Sequence, residues 1–162
     1  SIIQRIDTKA YFVVVTPNLS QSINYAESYS LNRENFYTCE IDDYHELNAF
    51  YNIADVGILF RENRLVNNVA SPTKFAEYIL TGLSVLISDG IGDYSELVRE
   101  NGWGLVISDN NQEEPSIYQE FVNSLSTTSA KGRATISILG CSLLSKQVSL
   151  NNYLKIYDVE PK

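Results

Sequence analysis

The residues best suited to chemistry lie at the start of a predicted helix, where Ser71 is the expected N-cap and Pro72 the first helical residue. Lys74 then falls in the first turn, where a positive charge opposes the helix dipole at a cost of about 0.3–1 kcal/mol. A bound anion would reverse that sign, because the amides and the ammonium would then converge on it. This turn is therefore a candidate anion site.

Two further cations precede this turn. Arg61 and Arg64, with Lys74, place three cations in the 14 positions from 61 to 74, where the average composition gives about one. The segment is a local positive patch in an acidic protein. The alternative is that Lys74 is simply solvated and that the arginines pair with Glu62.

Glu77 lies one helical turn after Lys74, so both side chains are expected near one face of the helix. A carboxylate accepts two hydrogen bonds side by side and can hold the two hydroxyls of a ribose. The alternative is an ordinary surface glutamate.

A second candidate segment is Asp89-Gly90-Ile91-Gly92-Asp93, which follows a buried strand. Two glycines would let the backbone approach a ligand closely, although an ordinary tight turn explains them equally well. No Walker-type phosphate loop is present, and the single histidine, His45, leaves no Ser/His/Asp arrangement. We expect His45 to be an exposed helix residue rather than a base.

Composition excludes several classes of protein. The net charge of −8 disfavours nucleic acid as a partner, and no apolar run approaches the ~18 residues of a membrane-spanning helix. Cys39 and Cys141 are expected to be buried free thiols. With no Cys/His cluster and no Asp-x-Asp pair, neither a structural zinc site nor a bound metal is expected.

Apolar patterning predicts strands and helices in alternation. The predicted strands are Tyr11–Thr16, Phe36–Cys39, Val56–Phe60, Val85–Ser88 and Gly104–Ile107. The predicted helices are one ending near Ile6, then Ser20–Tyr29, one capped by Asp43, one from Pro72 to before Gly82, Tyr94–Glu100, Ser116–Leu125, Ala130–Leu144 and Ser149–Tyr157. A loop is expected from Arg61 to Ala70.

This alternation predicts an α/β fold: a Rossmann-like parallel sheet flanked by helices, with ligands at the carboxyl ends of its strands. Residues 1–162 are expected to form one domain that ends in helices from about 116 to 157. The helix remnant at Ile2, Ile3 and Ile6, together with the lack of methionine, leads us to interpret the chain as a fragment whose first strand is missing.

Two strings, "NAFYNIADVGILF" and "SPTKFAEYILTGLSVLISDGIGDYSELVRENGWGLVI", resemble the C-terminal, donor-binding domain of family 4 glycosyltransferases, two-domain enzymes of the GT-B architecture. The likeness runs from about Tyr11 to Ile107. The string "LLSKQVSLNNYLKIYDV" is similar to the closing helices of such enzymes. In this family two glutamates are separated by seven residues. Glu77 matches the second, whereas Val69 stands in place of the first, which puts the sugar contacts in doubt.

The resemblance implies which residues hold a nucleoside diphosphate sugar. Glu77 would bind the donor ribose, and Lys74 with the amides of Ser71, Thr73 and Lys74 would bind the diphosphate. The segment around Ile41 would lie against the nucleobase, with Arg61, Arg64, Asp89 and Gly90 as possible further contacts. The family's arginine and lysine that neutralise the diphosphate would precede residue 1.

The implied activity is transfer of the sugar to an acceptor hydroxyl with retention of configuration and without a required metal or cofactor. Such an enzyme would be cytoplasmic, serve polysaccharide biosynthesis and, at full length, associate peripherally with a membrane. The catalytic residues would lie in a missing N-terminal acceptor domain, so this fragment alone should be inactive. The alternatives are a non-catalytic nucleotide-binding or interaction domain and a sugar-nucleotide epimerase of the same architecture.

Overall fold

The computed structural model describes residues 2–62, 64–68, 71–110, 112–127 and 130–156. Contacts between residues group the chain into two compact units, Ser1–Ile53 with Glu113–Ser126 and Ala54–Gln112 with Thr127–Lys162. The prediction that residues 1–162 form a single domain stays a prediction.

The first unit contains a sheet of two parallel strands and several helices, most of which lie in the N-terminal third of the chain. Phe12 lies opposite Phe36 and Val15 opposite Cys39 in this two-stranded sheet. The carboxylate of Asp43 accepts a hydrogen bond from the His45 amide at 2.7 Å, as expected of a cap. Its elements are α1 (Ile2–Ile6), β1 (Phe12–Val15), α2 (Leu19–Ser28), a 3-10 helix (Arg33–Asn35), β2 (Phe36–Cys39), α3 (Tyr44–Ile53) and α7 (Pro115–Thr127).

The second unit contains a three-stranded parallel sheet with its strands in sequence order. Val56 lies opposite Ser84 and Val85 opposite Gly104. Its elements are β3 (Val56–Leu59), α4 (Leu65–Asn68), α5 (Thr73–Leu80), β4 (Ser84–Ser88), α6 (Tyr94–Asn101), β5 (Gly104–Ile107), α8 (Ala130–Leu144) and α9 (Lys146–Ile156).

The core of the second unit holds the apolar face of α5. Phe75 and Ile79, one turn apart on α5, are fully buried in a cluster that includes Val85 and Ile87 of β4. Helix α8 also approaches α5 closely, because a Cβ placed on Gly140 would lie 2.4 Å from Ile79 Cγ2. The apolar face of α5 is thus covered, and its first turn stands at one end of the packed layer.

The α/β class and the parallel pairing of the strands are confirmed. The five expected strands are divided between a two-stranded and a three-stranded sheet rather than joined in one. The loop expected from Arg61 to Ala70 is wrong in part, since Leu65–Asn68 form the short helix α4. Gly102 ends α6 in the left-handed conformation, at φ 64°, as expected of a helix C-cap.

Among the described residues, no helix combines the length and the apolar character needed to cross a membrane.

Candidate functional site

The predicted site residues, apart from Ile41, belong to the second unit. Its α5 begins at Thr73, one residue later than expected. The N-cap is Pro72, whose ψ of 120° is extended rather than helical, so the prediction of Ser71 as N-cap is wrong. The Ser71 hydroxyl instead lies 2.6 Å from the Tyr94 hydroxyl.

Lys74 and Glu77 lie together, as their spacing predicts. Lys74 Nζ donates to Glu77 Oε2 at 3.0 Å, and the two side chains are 46% and 22% exposed. Thr73, also exposed, begins the helix at the end that carries the positive pole of the helix dipole. The N-terminal end of α5 therefore presents a cation, a half-buried carboxylate one turn further on and the positive pole of the helix dipole in one place.

The loops after β3, β4 and β5 converge beside this turn. The Arg61 amide, just after β3, donates to Ser88 Oγ at the end of β4, at 2.9 Å. The Asp89 amide donates to the Ile107 carbonyl at the end of β5, at 2.7 Å. Tyr94 links the β4 side to α5 through Ser71 and through its ring, which packs on Phe75 with centroids 4.4 Å apart. The first turn of α5 thus lies at the carboxyl edge of this sheet, where ligands of parallel α/β sheets bind.

The two predicted arginine contacts have different surroundings. Arg64 forms an ion pair with Glu62, which is the alternative that the sequence left open. Both partners are about 70% exposed, so this pair contributes little to stability. Arg61 is exposed, while its backbone amide is held by Ser88. Val69, the position of the departure from the two-glutamate pattern, lies outside the described residues.

Asp89 and Gly90 form a tight turn at the end of β4. Asp89 Oδ1 accepts a hydrogen bond from the Gly90 amide at 2.9 Å. The same oxygen forms an ion pair with Arg99 Nη2 at 2.8 Å. Gly90 and Gly92 have positive φ, at 73° and 48°, which explains both glycines without a ligand. The alternative of an ordinary turn therefore accounts for this segment, and the Asp89 carboxylate serves to hold it.

Arg99, the partner of Asp89, was not among the site residues predicted from the sequence. Arg99 Nη1 also bonds Glu96 Oε2 at 3.1 Å, and its pKa is raised, chiefly by the hydrogen bond with Asp89. The only signal in the sequence was the three-residue spacing of Glu96 and Arg99 on one helix. Tyr94 was missed too, because no local pattern marks its contact with Ser71.

Tyr78 lies in the electrostatic field of the Lys74–Glu77 pair. Burial raises the pKa of its phenol, Lys74 lowers that pKa, and Glu77 raises it. The ring also packs where a Cβ on Gly57 would stand, 2.4 Å from Tyr78 Cδ2. Close packing of this ring against β3 thus supports the turn of α5 that carries Glu77.

The first unit contains Ile41, His45 and Cys39, which the sequence singled out. Ile41 is half-buried and follows β2 by two residues. His45 is exposed on α3, as expected, with an edge-on contact to the Tyr44 ring. Cys39 is a partly buried free thiol whose pKa is raised by burial and by Glu46. Cys141, in the second unit, is also free but exposed, so the expectation that it is buried is wrong.

Within the described residues, no group of three His, Cys, Asp or Glu side chains is arranged to hold a metal ion. No protein-family model matches the chain, and no curated protein is significantly similar to it.

Proposed function

We propose that this chain is the donor-binding half of a retaining glycosyltransferase and that it binds a nucleoside diphosphate sugar at the first turn of α5. The observation that carries the proposal is the pairing of Lys74 with Glu77, at 3.0 Å, at the carboxyl edge of a parallel sheet. A cation and a carboxylate one helical turn apart match the two polar parts of a nucleotide, its phosphates and its ribose.

A bound diphosphate would offset the unfavourable interaction between Lys74 and the positive end of the helix dipole. In this arrangement Lys74 Nζ and the first-turn amides, including that of Thr73, converge on the phosphate oxygens. The cost of about 0.3–1 kcal/mol of a cation at this helix end would then become a gain of similar size. Ser71, by contrast, would contribute through its hydroxyl rather than as the helix cap.

Glu77 would hold the ribose. Its side chain is 22% exposed, so it is partly desolvated and already fixed on one oxygen by Lys74. A carboxylate has lone pairs enough to keep one charged partner while it accepts hydrogen bonds from the two vicinal hydroxyls of a ribose. The ion pair would thereby align phosphate and ribose recognition on a single helix face.

Sugar transfer would depend on stabilising the departing diphosphate. Preorganised positive charge and helix amides perform that task where charge develops in the transition state. The proposed reaction moves the glycosyl group to an acceptor hydroxyl with retention, in polysaccharide biosynthesis in the cytoplasm. The acceptor and the catalytic base would belong to a separate N-terminal domain, so the chain alone would bind donor without turnover.

A second candidate is a nucleotide-binding domain without catalysis. Val69 favours it, because this position carries an acid in the family that the sequence resembles. The same first turn of α5 would then bind a nucleotide, and activity would be absent even when the acceptor domain is supplied.

Calorimetry with UDP and with GDP at millimolar concentration tests the proposal. We expect heat of binding with at least one nucleotide. Glu77→Ala should weaken that binding by about 1–3 kcal/mol, the range for hydrogen bonds to a charged group. Glu100→Ala, an exposed glutamate near the end of α6, is the matched control and should change nothing. No heat with either nucleotide, or equal affinity in Glu77→Ala, would refute the proposal.

A further inference from the structure

Tyr94 connects the start of α6 to the segment that leads into α5. Its hydroxyl lies 2.6 Å from Ser71 Oγ, and its ring packs on Phe75 at 4.4 Å with a tilt of 38°. Phe75 is fully buried and follows Lys74 directly in the chain. One half-buried side chain therefore contacts residues on both sides of Thr73 and Lys74.

The backbone before Tyr94 holds this side chain in place from the other end. Gly90 and Gly92 turn the chain with positive φ, and the Tyr94 amide donates to the Ile91 carbonyl at 3.1 Å. Ile91 itself is buried in the core. The position of the phenol is thus set by a tight turn and a buried anchor, and its orientation by the contact with Phe75.

The two hydroxyls together have one hydrogen more than their mutual bond uses. Each hydroxyl carries one hydrogen, and whichever oxygen donates to the other, the acceptor keeps its own hydrogen for a third group. Ser71 is exposed and Tyr94 half-buried, so this hydrogen can reach a ligand. The pair is consequently a fixed hydrogen-bond donor beside the first turn of α5, and the two neutral hydroxyls carry no charge that would repel an anion.

We propose that Tyr94, together with Ser71, is a phosphate-contacting residue of the donor site, an inference that rests on the function proposed above. Within the pair Ser71 donates to the Tyr94 oxygen, and Tyr94 donates its own hydrogen to a phosphate oxygen held by Lys74 and the helix amides. The contact is to phosphate and not to the nucleoside, so it serves UDP, GDP and inorganic pyrophosphate alike. Glu77, in contrast, serves only the ligands that carry a ribose.

Calorimetry with UDP, GDP and inorganic pyrophosphate on the 162-residue chain separates these roles. Tyr94→Phe keeps the ring against Phe75 and removes the hydroxyl. We expect it to weaken all three ligands by a similar factor of about ten, the size of a hydrogen bond to a charged group. Glu77→Ala should weaken the binding of UDP and GDP but not that of pyrophosphate, because it removes the ribose contact and keeps the Lys74 cation. Tyr153→Phe, an exposed tyrosine on α9, is the control.

Ser71→Ala supplies a second test that leaves the aromatic packing untouched, and it replaces Tyr94→Phe if that variant fails to fold. Because Ser71 acts only through the Tyr94 oxygen, Ser71→Ala should weaken binding of the three ligands less than Tyr94→Phe does, and the double variant should bind no more weakly than Tyr94→Phe alone. Unchanged affinities in Tyr94→Phe and Ser71→Ala, or a loss restricted to UDP and GDP, would overturn the inference while leaving the proposed function standing. Absence of binding by all three ligands to the unmodified chain would overturn both.

Discussion

Lys74 Nζ lies 3.0 Å from Glu77 Oε2, one turn further along α5. Two oppositely charged groups at this spacing neutralise each other at a place where a carboxylate alone would repel phosphate. The side chains are 46% and 22% exposed, so solvent screens much of their attraction. The pair therefore contributes little to the stability of the fold.

Lys74→Met should consequently leave the folded state almost unchanged. We expect its unfolding free energy to differ from that of the unmodified chain by less than about 1 kcal/mol, because surface pairs contribute little and the helix dipole disfavours the cation. Urea unfolding followed by the fluorescence of Trp103, buried in the core of the second unit, measures it. Lys131→Met, an exposed lysine on α8, is the control. A loss above about 2 kcal/mol would show a structural role for the pair.

Gly140→Ala should destabilise the second unit although alanine is the better helix former. In an open helix position this change gains about 1 kcal/mol. Here the new Cβ would lie 2.4 Å from Ile79 Cγ2, so α5 and α8 must separate, and overpacking costs about 1–3 kcal/mol. Ser142→Ala, two residues further on the exposed side of α8, is the matched control. A higher midpoint temperature of thermal unfolding in Gly140→Ala than in the unmodified chain would contradict the close contact of the two helices.

Tyr78 should make the fold sensitive to alkaline pH. Its folded-state pKa is raised, chiefly by burial, so the folded state keeps its proton where the unfolded state has lost it. The stabilisation is fully present below pH ~10, the ordinary pKa of tyrosine, and falls as the pH rises above it.

Urea unfolding of Tyr78→Phe between pH 8 and pH 11 measures this contribution. The variant should lose less stability above pH ~10 than the unmodified chain, because phenylalanine does not ionise. Tyr153→Phe, whose tyrosine is exposed, should keep the full alkaline loss. Identical pH profiles for Tyr78→Phe and the unmodified chain would contradict the burial of this phenol.

Local patterns in the sequence predicted most of the fold. β2 and β5 begin and end at the expected residues, because short apolar runs mark such strands, and α8 also has its expected bounds. Pro72 was placed one residue inside the helix because proline is common there, yet its extended ψ keeps it outside. The division into two sheets was not predictable, since apolar runs carry no information on which strands pair.

The candidate site was predictable only where its residues are neighbours in sequence. Lys74 and Glu77 meet because they are three positions apart on one helix. Ser71 and Tyr94 are 23 residues apart, and their contact depends on how β4 brings α6 beside α5. Asp89 was only a possible ligand contact, and its ion pair with Arg99 was not predictable, because Arg99 lies beyond the turn, on α6.

A crystal of this chain soaked with UDP or GDP is the most direct test of nucleotide binding at the first turn of α5. We expect phosphate oxygens within hydrogen-bonding distance, about 2.7–3.2 Å, of Lys74 Nζ and the Thr73 amide, with the ribose hydroxyls on Glu77. A nucleotide bound elsewhere, with the Lys74–Glu77 pair undisturbed and the first turn of α5 empty, would contradict it.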